Sequence, residues 1–226
     1  MSSLRVREAN AAWPVDVYRA LEVVLRERAG LIFTPLRRSA VESAAHSVMQ
    51  RLGVKAPETF VALVMEDGAV FDDLMAEVTI GETYFFREPA QFDLLRKTII
   101  PEFRERHSSG RAFRAWSAGC STGEEPYSIA IILRDFGLPG YVVGSDISRT
   151  RLAIARHGLY RSWSFRGVPE GVIDRNFQKV DDAFQLTPDI RRGVEFRYLN
   201  LAADAFPAMS SGVWGMDLIV CRNVLI

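Results

Sequence analysis

A chain of 226 residues with 48% hydrophobic and 25% charged side chains is too apolar for wholesale disorder and long enough for one large domain or two small ones. Its 28 basic and 28 acidic residues cancel, which removes whole-chain attraction to nucleic acid or anionic membrane and leaves only local patches. Two cysteines make neither a disulfide framework nor a four-cysteine metal site, and neither a long apolar run nor a signal-peptide core is present, so the expectation is a reduced, soluble, cytoplasmic protein with no metal and no direct membrane insertion.

Residues 1–80 read as a helical domain. Val17, Leu21, Val24 and Leu25 recur at helical spacing, as do Val41, Ala44, Ala45, Val48, Met49 and Leu52. Gly30 and Gly53 stand where helix C-termini are expected. Shorter amphipathic pieces carry Phe60, Leu63 and Val64, then Phe71, Leu74, Met75 and Val78. Residues 81–110 read as a linker motif followed by a helix after Pro89, with Phe92, Leu95, Ile99 and Phe103 on one face.

The texture then changes. A strand over 112–117 runs into the small residues of 118–123, a helix follows over 126–136, and a second strand covers 141–145. Ser148 caps a helix ending near Gly158. Strands alternating with helices predict βαβ units on a parallel sheet, so residues 111–226 read as an α/β Rossmann-like domain. The segment at about 159–193 breaks that rhythm. It holds Pro169, Pro188 and two β-like pieces at 177–180 and 183–186, which predict a small antiparallel β insertion. Strands at 194–198 and 217–220 resume the main sheet.

The run Trp-Ser-Ala-Gly-Cys-Ser-Thr-Gly-Glu-Glu-Pro-Tyr at 116–127 joins strand to helix through a small-residue turn, which brings backbone N–H groups near a ligand. Gly119 and Gly123 are read as allowing that approach because they lack a Cβ. Asp146 follows the second strand, where an acid accepts both hydroxyls of a ribose. The G-x-G-x-x-G fingerprint and the lysine of a phosphate-binding loop are both absent. Glu124 and Glu125 would repel a pyrophosphate, whereas S-adenosylmethionine carries positive charge and no phosphate. The same two acids also read as complements to the helix macrodipole, and both readings stand at this point. Gly-Glu-Thr-Tyr-Phe-Phe-Arg-Glu at 81–88 places Arg87 after two phenylalanines, either in a cleft or on the surface of a hydrophobic linker.

These runs, with Ser-Asp-Ile at 145–147 and Cys-Arg-Asn-Val at 221–224, occur in the order and spacing of the chemotaxis-receptor methyltransferases, the CheR family, which the whole chain resembles. The resemblance implies a class I S-adenosylmethionine-dependent methyltransferase domain behind a substrate-facing helical one. It implies transfer of a methyl group to glutamate carboxylates of bacterial chemoreceptors, giving γ-glutamyl methyl esters and S-adenosylhomocysteine. It carries cofactor contacts onto Thr83, Arg87, Glu125, Asp146, Asn200, Leu201, Arg222 and Asn223. Arg87 becomes the catalytic candidate, orienting a carboxylate that is already ionised and needs no general base. Alignment alone is then worth roughly 7–11 kcal/mol. A basic helix carrying Arg37, Arg38 and Arg51 is read either as the surface meeting acidic receptor helices or as solvated charge. The implied partner is the cytoplasmic domain of a methyl-accepting chemoreceptor or a related signalling receptor.

The resemblance has departures. Gly81 stands where the family often has Asn, which removes a side-chain hydrogen bond and hints at a substrate other than a standard chemoreceptor. The insertion resembles a subdomain that in some members docks a receptor tail. The chain stops before the family's last strands and its active-site tyrosine, so the expectation is a truncated sheet with an open edge, marginal stability and poor activity. Competing readings are a cofactor-binding regulatory module and a methyltransferase for a non-chemotaxis signalling receptor. A nucleic-acid substrate fits poorly, because Cys-Arg-Asn-Val replaces the Asn/Asp-Pro-Pro-aromatic run of amine methyltransferases and no basic funnel exists. His46, His107 and His157 are read as surface residues, Cys120 as a small turn residue and Cys221 as a buried strand end.

Overall fold

The structure is a computed structural model, and it describes residues 12–79, 82–107, 110–203 and 206–224. The chain divides into two units, Met1–Ile80 with Asn200–Ala202, and Gly81–Leu199 with Ala203–Ile226. Gly81, where the family pattern has Asn, lies outside the described residues.

The first unit contains helices α1 (Val15–Ala29), α2 (Arg38–Leu52), α3 (Pro57–Glu66) and α4 (Gly68–Val78), with a 3-10 turn at Pro35–Arg37. Gly30 and Gly53 end α1 and α2 in the left-handed conformation, at φ 67° and 70°, as their positions predict. Pro57 opens α3, where its missing N–H costs nothing, and the Asp67 carboxylate caps α4 by accepting from Ala69 N at 2.8 Å. Leu21, Leu25, Ala45, Val48, Phe60, Leu74 and Met75 form the interior, each fully buried.

One polar network organises the start of this unit. Glu42 is buried on α2 and its Oε1 accepts from Trp13 N at 3.3 Å and Arg38 Nε at 2.8 Å. The Arg38 guanidinium also donates to Trp13 O at 2.7 Å and lies 4.5 Å from the Tyr18 ring centroid. Arg38 therefore staples the residues before α1 onto α2. His46, read from sequence as a surface residue, is half-buried: Trp13 Nε1 donates to its Nε2 at 3.2 Å, so its proton sits on Nδ1, 2.8 Å from Glu42 O.

The second unit begins with α5 (Pro89–Leu94), a π turn (Leu95–Ile99) and α6 (Ile100–Arg106). The uninterrupted helix expected here is widened because Pro101 has no N–H to offer the carbonyl one turn back. Residues 82–107 belong to this unit instead of linking it to another, since Phe85, Phe92, Leu95, Ile100 and Phe103 all lie in its core.

Four parallel strands follow: β1 (Phe113–Ala118), β2 (Gly140–Asp146), β6 (Val194–Tyr198) and β7 (Leu218–Cys221), in the order β6-β2-β1-β7. Helices α7 (Glu124–Asp135) and α8 (Arg149–His157) follow β1 and β2. β1 and β2 are central and largely buried on both faces, which is why, Arg114 and Asp146 apart, their residues are small or apolar and do not alternate. β7 starts and ends one residue later than expected and leaves Cys221 exposed, against the reading of a buried strand end.

The insertion holds β3 (Leu159–Arg161), a 3-10 turn (Ser162–Phe165), α9 (Glu170–Asn176), β4 (Phe177–Val180), β5 (Ala183–Leu186) and α10 (Pro188–Arg192). Its sheet is antiparallel, in the order β3-β5-β4. The sequence reading lacked β3, a short strand that begins directly after the capping Gly158. Phe85 is bolted into this subdomain: it stacks on Phe165 at 5.2 Å and meets Tyr160 and Phe177 edge-on at 4.9 and 5.0 Å.

Replacing Glu42 by Ala leaves Trp13 N and the Arg38 guanidinium without their shared acceptor. We expect a loss of about 1–3 kcal/mol in urea unfolding of the helical unit followed by Trp13 fluorescence. A change below about 0.5 kcal/mol, the usual range for neutral surface substitutions, would show the network to be incidental.

Candidate active site

The carboxyl ends of β1 and β2 lead into two turns, and one carboxylate joins them. Asp146, the last residue of β2, accepts from Ser121 N through Oδ2 and from Ser148 N through Oδ1, both at 2.8 Å. Each oxygen keeps acceptor capacity beyond its backbone donor. Ser148 also caps α8, its hydroxyl accepting from Arg151 N at 3.3 Å. The 121–123 turn is further pinned by Arg151, which donates to Ser121 Oγ at 2.9 Å, while Gly119 N and Cys120 N both donate to Ser145 O at 2.8 Å.

The two glycines serve a different end from the one expected. A Cβ on Gly119 would stand 2.3 Å from Val224 Cγ2, and one on Gly123 would stand 2.8 Å from Ala155 Cβ. Their missing side chains make room for protein packing, not for a ligand, and both residues have positive φ, 73° and 93°.

The neighbouring acids Glu124 and Glu125 have distinct surroundings. Glu125 Oε1 accepts from Ser117 Oγ at 2.7 Å, and Oε2 lies 3.1 Å from Arg222 Nη1. Burial raises its pKa, opposed by the Ser117 hydroxyl and by the charges of Arg222 and Arg87. Arg222 also donates to Arg87 O at 2.7 Å and lies near Phe92, while its Nε is buried with no hydrogen-bond partner among the described residues. The Arg87 side chain donates to Glu82 O at 2.5 Å. Arg87, Glu125 and Arg222 are thus brought together. Thr83 is half-buried at the head of the same segment, and Asn223 is exposed after Arg222 with φ 55°. Asn200 and Leu201 group with the helical unit, where Asn200 donates to Arg28 O at 2.8 Å and accepts from Ala202 N at 2.9 Å.

Glu124 is buried. Its Oε2 accepts from Thr122 Oγ1 at 2.7 Å and its Oε1 from Ser164 Oγ at 3.0 Å. Ser117, Thr122, Ser148 and Ser164 escaped the sequence reading as site residues. Ser117 carried a signal, a polar residue in the apolar carboxyl half of its strand; Ser164 carried none, because only the tertiary fold brings it near Glu124.

This donor set suits a ribose-containing cation better than a dinucleotide. Asp146 offers acceptors at a strand end, the Glu125 carboxylate stands at the N-terminus of α7 where a phosphate would bind, and the orphan Arg222 Nε can take one further acceptor.

Burial raises the Glu124 pKa from 4.5, and the hydroxyls of Thr122 and Ser164 offset this only in part. The folded state therefore holds this proton more tightly than the unfolded state, so its contribution to stability is greatest below 4.5 and falls as pH rises towards the folded value. Glu125 shifts in the same direction. The stability of Glu124→Gln relative to wild type should rise as pH is raised above about 4.5 and then level off in denaturant titrations. A pH-independent difference between the two proteins would contradict the assignment.

Residues 81–226 match the CheR methyltransferase, SAM binding domain. The chain is 34% identical over 208 residues to the probable biofilm formation methyltransferase WspC of Pseudomonas aeruginosa, covering 91% of this chain and 48% of that one. It is 30% identical over 221 residues to the chemotaxis protein methyltransferase Cher2 of Pseudomonas putida, covering 92% of this chain and 78% of Cher2. It is also 30% identical over 208 residues to the chemotaxis protein methyltransferase of Borreliella burgdorferi, with 87% and 72% covered. The chain spans about half the length of the first of these relatives and most of the other two. Its parallel sheet with an antiparallel insertion is a class I methyltransferase fold, and the chain belongs to the CheR methyltransferase family, with S-adenosylmethionine as its cofactor.

Proposed function

We propose that the protein methylates glutamate side chains on the cytoplasmic domain of a signalling receptor, forming γ-glutamyl methyl esters. The observation that carries this reading is the cluster of Arg87, Arg222 and Glu125, which fixes a cation beside the carboxyl edge of the sheet, where burial raises the pKa of the nearby thiols Cys120 and Cys221. Bound S-adenosylmethionine supplies an electrophilic methyl group on a sulfonium that leaves as a neutral thioether. Within the methyltransferase unit, Thr83, Arg87, Glu125, Asp146, Arg222 and Asn223 would hold it, Asp146 through its remaining acceptor capacity. For Asn200 and Leu201 the family resemblance alone supports that role.

Arg87 orients the substrate carboxylate. Its guanidinium is tethered to the Glu82 carbonyl and lies 5.8 Å from the Tyr84 ring centroid, which limits the angles it can take. A substrate glutamate is ionised at neutral pH, so no proton has to be removed. The Glu125 and Glu88 carboxylates beside Arg222 offset the cationic charge of the cluster, so that Arg87 aligns the carboxylate without trapping it in an overly stable ground state.

On the helical unit, Arg38 is committed to Glu42 and Trp13, and Arg51 pairs with Glu77 at 2.6 Å on the surface. Arg37 forms no ion pair among the described residues. The proposed contact with acidic receptor helices therefore falls to Arg37 and, through exchange of an exposed pair, to Arg51. A second reading, a receptor of biofilm signalling instead of chemotaxis, rests on the 34% identity to WspC over 91% of this chain, against 30% over 92% for Cher2 and 36% over 74% for the chemotaxis protein methyltransferase of Listeria innocua.

Calorimetry with S-adenosylhomocysteine followed by a base-labile methyl-ester assay on receptor fragments tests the proposal. We expect saturable binding, ester formation, and a fall in kcat on the order of 10²-fold for Arg87→Ala, as for a misplaced reacting group. Absence of cofactor binding by wild type would overturn it; binding without ester on either receptor class would favour a regulatory module.

A further inference from the structure

We infer that Glu124 is a positioning residue that locks the 121–123 turn and the Arg87-bearing segment to the antiparallel insertion, an assignment that deepens the methyltransferase reading and rests on it. Its carboxylate is 2% exposed at the residue level, so it acts through other groups and not by touching a ligand. The two oxygens take hydroxyl donors from different parts of the chain, Thr122 in the turn and Ser164 in the insertion, at 2.7 and 3.0 Å.

The connections continue outward from both partners. Ser164 O accepts from Phe85 N at 2.9 Å, and Thr122 O accepts from Tyr160 Oη at 2.8 Å. The carbonyl of Glu124 itself accepts from Ser128 Oγ at 2.7 Å, and that hydroxyl accepts from Phe86 N at 3.0 Å. One buried acid thus closes a circuit through the segment ahead of Arg87, the first turn of α7 and β3 with its following turn. An acid that served only the macrodipole would face solvent and need no hydroxyl partners; burying a carboxyl is costly unless its bonds fix something.

The geometry predicts a graded response. Glu124→Ala removes both acceptors and should weaken S-adenosylhomocysteine binding at least tenfold. Ser164→Ala, which deletes one hydroxyl at a half-buried position, should weaken it about threefold, the scale of part of one hydrogen bond. Glu124→Gln keeps a planar group that accepts from one hydroxyl and donates to the other, and should recover binding to within about threefold of wild type. Calorimetry on the three variants reads this series. Amide hydrogen exchange without cofactor reads the mechanical claim separately: Phe85, Ser121 and Gly123 should exchange faster in Glu124→Ala and return towards wild type in Glu124→Gln. Wild-type-like affinity and exchange in Ser164→Ala and Glu124→Ala would overturn the inference. If Glu124→Ala fails to fold, Ser164→Ala and Glu124→Gln still decide it. Failure of wild type to bind the cofactor product would instead strike the functional reading, while the exchange data would still decide whether Glu124 couples the three segments.

Discussion

The architecture of the site depends on one carboxylate that accepts two backbone amides. Asp146 ends β2 and gathers Ser121 N from the neighbouring strand's turn and Ser148 N from its own. Without it, Ser121 N and Ser148 N would be unpaired amides, and the two turns would be joined only by the bonds of Gly119 N and Cys120 N to Ser145 O and of Arg151 to Ser121 Oγ. With it they become one rigid lip, and the oxygen positions are set to within the tolerance of two hydrogen bonds. The parallel pairing of Ala118 with Ser145 and of Asp146 with Tyr198 then brings the ends of three strands to the same level.

Glu124 and Glu125 are chemically identical neighbours on one helical turn, yet the fold gives them opposite duties. Glu125 points back to Ser117 on β1 and forward to Arg222 after β7, so its charge is balanced by a cation. Glu124 points away from that cation to hydroxyls of Thr122 and Ser164. Successive residues at the start of a helix are rotated by about 100°, which is enough to send two adjacent acids into separate environments.

Local chemistry explains how much of this is legible in the sequence. Helix ends at Gly30, Gly53 and Gly158, the cap at Ser148 and the strands of the main sheet follow from short-range rules, and the structure has all of them within a residue or two. The acid after the second strand and the arginine after paired phenylalanines also stood out by position. What stayed hidden depends on contacts distant in sequence. The space beside Gly119 is filled by Val224, and that beside Gly123 by Ala155 and Phe196, so the glycines looked like ligand-facing gaps when they are packing contacts. Arg38 looked like a surface cation because nothing in the sequence pairs Trp13 with Glu42. The segment before β1 looked like a linker because its aromatic partners, Tyr160, Phe165 and Phe177, lie far along the chain.

The contact between Gly119 and Val224 has a consequence in time as well as in space. The pairing of β1 with β7, and the bond of Arg114 N to the Asp217 carboxylate just ahead of it, joins positions separated by 103 residues. Loop closure of that length is slow compared with local helix formation. During synthesis the 119–123 turn leaves the ribosome long before the residues that brace it, and domains are completed only as their distant segments arrive. The nascent protein therefore carries every residue of the Asp146 lip before Val224, which packs beside Gly119, has been made.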